Sequence, residues 1–155
     1  MVVAAMSIAL FIGCTQSTTE LSTAALEQVA QASELTVFRS PTCGCCGKWV
    51  EHMRSFGFQI EDNITEDVDV IAQQYGLPDQ LRSCHTTIAN GYIIEGHIPA
   101  VDVARLLKEA PKIAGIAVPG MPVGSPGMES GDYVEPYSVL SFTEAGDTAV
   151  FAEHS

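Results

Sequence analysis

Three cysteines fall within four residues, at Cys43, Cys45 and Cys46, where a short strand is predicted to run into a helix. Residues 35–38 before them are β-prone, and apolar residues at helical spacing follow them. The unpaired N–H groups and the dipole of a helix N-terminus stabilise thiolates. The cluster therefore predicts a strand–turn–helix unit whose cysteines are reactive or bind a metal ion.

The spacing within the cluster leaves two kinds of chemistry open. Cys43 and Cys46 have the C-x-x-C spacing of thiol redox motifs. Cys45 departs from that pattern, because a dithiol switch needs two cysteines and here there are three. Adjacent thiolates at Cys45 and Cys46 cannot both ligate one small metal ion without strain, so they suit a site in which sulfur atoms bridge several ions.

The pattern of the chain predicts the element order β-α-β-α-β-β-α, with the folded domain starting at Glu34. Asn90 and Gly91 lie between two β-prone runs, which is a strong signal for a tight hairpin. A strand–helix–strand start followed by a hairpin and a helix is typical of an α/β fold with a mixed sheet.

Residues 111–131 differ from the rest, with four prolines and five glycines. Proline lacks a backbone N–H, so this stretch is predicted to be neither a helix nor a central strand. Its apolar residues argue against a free linker, and we expect an ordered loop that packs across the domain. β-prone runs at residues 137–142 and 148–151 then predict a closing hairpin.

The first 14 residues raise a question of targeting. Residues 1–13 are apolar and uncharged, and Cys14 and a polar stretch follow, as at the end of a bacterial lipoprotein signal peptide, although the usual basic start is missing. We expect residues 1–33 to form a signal or lipoprotein-like segment and a tether, with Cys14 as the lipidation site. Residues 18–33 fit either a tether or a short amphipathic helix. Export, to the periplasm or as a membrane-anchored lipoprotein, would place the other cysteines in an oxidising compartment.

The net charge of the chain limits the classes of molecule that it can bind. Lys plus Arg number 7 and Asp plus Glu number 19, which gives a net charge of −12. This argues against nucleic acid as a partner, because phosphate binding needs basic patches, and it suits a protein that meets cations. Apolar residues make up 46% of the chain, which is enough for the core of one domain.

A fourth cysteine, Cys84, is expected to join the cluster although it is distant in sequence. In the predicted topology, the loop before the third strand lies beside the first strand–helix turn. Thioredoxin-like folds place a cis-proline there, and here Cys84, His85 and Thr86 take its place. His85 is a candidate ligand or a hydrogen-bond partner of a ligand; the alternative is a loop histidine that is hydrogen-bonded nearby.

Four cysteines and a histidine beside an acidic surface point to a soft or borderline metal ion. Cu(I), Zn(II) and iron–sulfur clusters all suit thiolate-rich sites, and zinc needs four tetrahedral ligands. Export favours copper over iron–sulfur. Met121 and Met128 in the Pro/Gly-rich loop carry thioethers, a ligand type for Cu(I), although packing is their more common role.

The remaining candidates carry less weight. His52, on the helix after the cysteines, is interpreted as a surface residue, and His154 as terminal and disordered. His97, which opens the third helical region, is a weaker candidate to line the site. Trp49 is interpreted as a core residue.

Four stretches carry a more specific signal: PTCGCCGKW at 41–49, SCHT at 83–86, GHIPA at 96–100 and PGMPVGSPGME at 119–129. Together they resemble the periplasmic copper-resistance proteins of the CopG family, over roughly residues 34–151. The resemblance implies a thioredoxin-like domain, over residues 34–155, and a part in Cu(I)/Cu(II) handling during copper stress. It also implies several copper ions in a sulfur-bridged cluster held by Cys43, Cys45, Cys46 and Cys84.

The sequence therefore predicts a copper-binding protein of the cell envelope, with copper ions as ligands and other envelope copper-handling proteins as partners. Storage and redox cycling of the copper both remain open, so a copper-dependent oxidoreductase is a hypothesis. One alternative is an exported thiol–disulfide oxidoreductase that uses Cys43 and Cys46. The other is a zinc-binding structural module.

Overall fold

The computed structural model describes residues 22–155, so Cys14 and the predicted signal segment lie outside the described residues. The elements are α1 (Thr23–Gln31), β1 (Glu34–Arg39), α2 (Gly44–Phe56), β2 (Gln59–Ile64), α3 (Val68–Gln74), a 3-10 turn (Asp79–Leu81), β3 (His85–Ala89), β4 (Tyr92–Glu95), α4 (Ala100–Glu109), β5 (Gly115–Ala117), β6 (Tyr137–Phe142) and β7 (Thr148–His154). From β1 to α4 the order is the predicted one, and the mixed α/β fold is confirmed. The finer thioredoxin-like assignment stays a prediction.

The register of the sheet explains where the cysteines meet. Across the described residues, one seven-stranded sheet has the order β2-β1-β3-β4-β5-β6-β7. β1 pairs parallel with β2 and antiparallel with β3, and Arg39 at the end of β1 lies opposite His85 at the start of β3. The cysteines that follow β1 and the cysteine that precedes β3 are therefore brought to one edge of the sheet.

The hairpin between β3 and β4 forms as predicted. Asn90 and Gly91 have φ angles of 48° and 84°, the left-handed values that a two-residue hairpin turn requires. Thr86 at the start of β3 pairs with Glu95 at the end of β4. The chain that follows β4 thus returns to the edge of the sheet that carries the cysteines.

The Pro/Gly-rich stretch holds a central strand, so the expectation that it has none is wrong. β5 lies between β4 and β6, parallel to the first and antiparallel to the second. The prolines bracket this strand, with Pro111 before it and Pro119 after it. At Gly115 a Cβ atom would lie 2.0 Å from the carbonyl oxygen of Ile93, so glycine permits the close approach of the strands. The closing hairpin of β6 and β7 is confirmed.

Helix α1 packs on the same core as the rest of the domain. Leu26 and Ala30 are buried in the cluster that also contains Trp49 and Val103. Of the two alternatives for residues 18–33, an amphipathic helix is the one observed, over Thr23–Gln31. The core thus includes residues that precede the predicted start at Glu34. Among residues 22–155, no helix has the length and apolar character needed to cross a bilayer.

Two histidines join distant elements, and the sequence-based interpretations of both are wrong. His154 ends β7, and its Nε2 lies 2.6 Å from Oδ2 of the buried Asp102 on α4. The half-buried His52 accepts a hydrogen bond at Nε2 from the backbone N–H of Ala100, at 3.0 Å. That N–H belongs to the first turn of α4, whose N-cap residue supplies no side-chain bond. Each contact spans about 50 residues, so no local pattern reveals it.

We expect His52→Ala to lower the free energy of unfolding by about 1 kcal/mol at pH 7.5, because the Ala100 N–H loses its acceptor. Burial lowers the pKa of His52, and the Glu129 carboxylate acts in the opposite sense. Folding therefore favours the neutral imidazole. Its contribution is present above the unfolded pKa of 6.5 and is lost as the pH falls through the lower folded value. Urea unfolding of both proteins at pH 7.5 and pH 5 measures the difference, which should shrink at pH 5; a constant difference contradicts this role.

Candidate metal centre

Cys43 caps the helix that carries the other two cysteines of the motif. Its Sγ accepts the backbone N–H of Cys46 at 3.3 Å, which pairs one of the donors left open at a helix N-terminus. Cys46 is fully buried, whereas Cys43 and Cys45 are partly exposed. Two of the three cysteines of the motif are therefore partly accessible to solvent, and the third is buried.

A disulfide joins Cys43 and Cys46, whose Cα atoms are 5.4 Å apart. Cys45 and Cys84 are the free thiols among residues 22–155. The Sγ atoms of Cys43 and Cys45 are 3.4 Å apart. The structure thus shows the oxidised form of the C-x-x-C pair, and ligation of a metal ion by all four sulfur atoms requires reduction of that pair to two thiols.

Cys84 lies directly before β3, against the start of α2. The Sγ of Cys46 lies 3.4 Å from the carbonyl oxygen of Cys84. The Sγ atoms of Cys43, Cys45, Cys46 and Cys84 all lie within 4.8 Å of one another. The expectation that topology brings Cys84 to the other three is confirmed, and these residues are hereafter the four-cysteine cluster.

His97 lies closer to the four-cysteine cluster than its rank as a weaker candidate predicted. Its Nε2 lies 2.9 Å from the Sγ of Cys84, and its Nδ1 lies 2.8 Å from the carbonyl oxygen of Pro126. A carbonyl oxygen can only accept, so Nδ1 carries the proton and Nε2 presents its lone pair to the sulfur. The signal that could have found it is the hairpin, because the pairing of Thr86 with Glu95 returns the following residues to Cys84.

His85 is buried at the start of β3 and is not a loop residue. Its ring packs on Trp49 with centroids 4.4 Å apart and meets the ring of His97 edge-on at 5.0 Å. Its Nδ1 lies 3.8 Å from the Sγ of Cys84, and its Nε2 is buried with no hydrogen-bond partner among the described residues. Cys84, His85 and His97 thus form a second group whose ligand atoms lie within 4.8 Å of one another.

Burial controls the protonation of this group. It raises the pKa of the Cys84 thiol to about 12, and the neighbouring Cys45 adds to the rise. It lowers the pKa of His85 to about 3 and lowers the pKa of His97 as well. Both imidazoles are therefore neutral at pH 7, which is the form that ligates metal ions. A bound cation would favour the Cys84 thiolate over the thiol.

A buried carboxylate fixes the backbone beside Cys84. Glu95 accepts hydrogen bonds from the Ser83 N–H and from the Thr86 hydroxyl, each at 2.7 Å. Burial raises the pKa of Glu95 to about 7, although these two hydrogen bonds act in the opposite sense. The Ser83 hydroxyl donates to the carbonyl oxygen of Gly120 at 2.6 Å. The same short segment is thus anchored to β4 on one side and to the Pro/Gly-rich loop on the other.

The Pro/Gly-rich loop packs against the start of α2, as expected for an ordered segment. A Cβ atom at Gly127 would lie 2.6 Å from the carbonyl oxygen of Cys45 and 2.9 Å from the backbone nitrogen of Trp49. Met128 follows and is half-buried, whereas Met121 is 54% exposed. Both thioethers thus belong to the loop that borders the cluster, and ligation by either stays a prediction.

Comparison with known proteins adds two solved structures that align over most of their length. Copper resistance protein copG, Form 2, is 41% identical to this chain with a TM-score of 0.76, and the alignment covers 79% of this chain and 98% of that one. Form 1 is also 41% identical, with a TM-score of 0.74 and coverage of 78% and 96%. A family profile described as a protein of unknown function, DUF411, matches residues 81–128. No match is found among curated proteins.

The close approach of the loop can be tested at Gly127. We expect Gly127→Ala to lower the free energy of unfolding by about 3 kcal/mol, because a left-handed residue costs about 1–2 kcal/mol and the clash with α2 adds to it. Gly131→Ala is the matched control, since Gly131 also has a positive φ but a Cβ there meets open space. The control should cost about 1 kcal/mol in urea unfolding. Equal costs for the two variants would contradict the contact with α2.

Proposed function

The chain belongs to the CopG family of copper resistance proteins, and we propose that it binds copper in the cell envelope through the four-cysteine cluster. The observation that carries the proposal is the presence of four Sγ atoms within 4.8 Å of one another at one edge of the sheet. We propose Cu(I) as the bound form, with sulfur atoms that bridge several ions.

The chemistry of the donors supports this choice. Thiolates are soft ligands, and thiolate-rich sites select Cu(I) among the copper ions. Cys45 and Cys46 are adjacent, so bridging of different ions avoids the strain of chelating one ion. His85 is neutral, and its Nε2 has no hydrogen-bond partner among residues 22–155. We propose His85 and the thioethers of Met121 and Met128 as further ligands or as partners that orient the cysteines.

Access to the cluster supports exchange of copper with other proteins. Three of its cysteines are partly exposed, and only Cys46 is fully buried. The net charge of −12 raises the local concentration of cations near the surface. We propose other envelope copper-handling proteins as the partners that supply or receive the ions, and interconversion of Cu(I) and Cu(II) as the activity beyond binding.

We propose that the protein is exported, because residues 1–14 resemble the end of a bacterial lipoprotein signal peptide. A disulfide between Cys43 and Cys46 would persist in such an oxidising compartment. Periplasmic release and membrane anchoring through lipidation of Cys14 are the two forms of this proposal.

A second candidate function is favoured by a specific observation. Cys43 is partly exposed and Cys46 is buried within one disulfide, the arrangement that thiol–disulfide exchange uses. An enzyme of that kind would not need Cys45 or Cys84 nearby.

We expect the fully reduced chain to bind more than one Cu(I) ion, and Cys84→Ser to bind at most half as many, because the variant loses the sulfur atom that completes the cluster. Protein is reduced anaerobically, supplied with Cu(I) and Zn(II) together, and desalted. Copper and zinc per chain are then measured by mass spectrometry.

Cys14→Ser is the matched control, since it removes a thiol outside the four-cysteine cluster and should bind as much copper as the unaltered chain. One zinc ion per chain in place of copper would contradict the proposal. An unchanged copper content in Cys84→Ser would contradict it as well.

A further inference from the structure

We propose that the Cys43–Cys46 pair donates the electrons that reduce Cu(II) at the four-cysteine cluster, while Cys45 and Cys84 retain the Cu(I) that forms. This inference rests on the proposed copper binding and adds a chemical step to it. It assigns different roles to two pairs of sulfur atoms within one site.

The structure itself divides the cluster into these two pairs. Cys43 and Cys46 are joined by a disulfide, and Cys45 and Cys84 carry free thiols. Cys45 stays free although its Sγ lies only 3.4 Å from that of Cys43. Proximity alone therefore does not select the partner. The bonded pair is the one with C-x-x-C spacing, and its Cα–Cα distance of 5.4 Å lies within the range that a disulfide needs.

The free pair is placed to hold copper beside the donor pair. Since all four Sγ atoms lie within 4.8 Å, an ion ligated by Cys45 and Cys84 lies next to both donor sulfur atoms. His97 adds a neutral nitrogen 2.9 Å from the Cys84 sulfur, in an orientation fixed by the Pro126 carbonyl. Thiolate and imidazole donors thus remain available after Cys43 and Cys46 have been oxidised.

The step balances with two copper ions. The S–H bonds of Cys43 and Cys46 break, an S–S bond forms between them, and two protons pass to water. The two electrons released reduce two Cu(II) ions to two Cu(I) ions. The product is the disulfide form that the structure shows.

Return to the dithiol form requires an external reductant of the dithiol class. Its thiolate attacks the Sγ of Cys43, because Cys46 is fully buried. The Cys43–Cys46 bond breaks, a mixed disulfide forms at Cys43, and Cys46 takes up a proton. The second thiol of the reductant then attacks the reductant's first sulfur atom, which is bonded to Cys43 in the mixed disulfide. Cys43 leaves as a thiol, and the reductant is left with an internal disulfide.

The test counts electrons and locates the disulfide. The full chain, carrying Cys14→Ser so that only the cluster supplies thiols, is reduced, desalted and mixed anaerobically with four equivalents of Cu(II). Electron paramagnetic resonance counts the Cu(II) that remains. Copper is then stripped with acid and chelator, free thiols are alkylated, and peptides are mapped by mass spectrometry. We expect two Cu(II) ions reduced per chain, one disulfide between Cys43 and Cys46, and alkylation of Cys45 and Cys84.

Two variants with three cluster thiols each separate donation from retention. Cys43→Ser removes one member of the donor pair and should lower the rate of Cu(II) reduction at least tenfold. Cys84→Ser keeps the donor pair and should still form the Cys43–Cys46 disulfide, but it should retain less Cu(I) after desalting.

Full persistence of the Cu(II) signal, reduction of four ions per chain, or a disulfide that includes Cys45 or Cys84 would overturn the inference. A parallel titration with Cu(I) separates it from the proposed function. A chain that binds Cu(I) but leaves Cu(II) unreduced refutes the inference alone, whereas a chain that binds no Cu(I) refutes the proposed function.

Discussion

The packing of Trp49 is the interaction on which the arrangement of the site depends. Trp49 is fully buried on α2, its Nε1–H donates to the carbonyl oxygen of Ile98 at 2.8 Å, and its ring packs against His85 at the start of β3. Its backbone nitrogen faces Gly127 of the Pro/Gly-rich loop. One residue, through its side chain and its backbone, thus contacts the segments that carry the cysteines, the histidines and the loop. The hydrophobic effect holds it in place, and the single polar atom of the ring is paired, so burial carries no unsatisfied donor.

The sequence predicted what local signals and topology determine. The hairpin at Asn90 and Gly91 follows from turn chemistry, and the position of Cys84 follows from the order of strands. β5 was missed because three residues become a strand only when β4 and β6 offer open edges on both sides, which is a tertiary effect. His97 was undervalued because its orientation depends on a carbonyl 29 residues away. The C-x-x-C spacing indicated Cys43 and Cys46 as a redox pair, but the same spacing left ligation of a metal ion equally open.

The metal-free site contains neutral donor groups, and one of them, the Cys84 thiol, can lose a proton to become anionic. Burial keeps Cys84 protonated and both imidazoles neutral, so the metal-free group adds no net charge to an already acidic protein. Binding of a cation, as proposed, would release the proton of the Cys84 thiol and leave an anionic sulfur ligand, so affinity would depend on pH as well as on the metal ion. The redox state of Cys43 and Cys46 adds a third variable, because the disulfide removes two of the four sulfur atoms from the thiolate pool.

The loop beside the cluster closes on itself. The N–H of Gly124 bonds to the carbonyl oxygen of Met128, the N–H of Met128 bonds to that of Ser125, and Ser125 is fully buried. Within this hydrogen-bonded loop the Pro126 carbonyl orients His97, and Gly127 contacts α2. Surface loops usually tolerate insertions because their length is thermodynamically cheap. Here one added residue would turn the Pro126 carbonyl away from the His97 ring, and the proton would no longer be held on Nδ1. In evolution the length of this loop should therefore be as constrained as the positions of the cysteines.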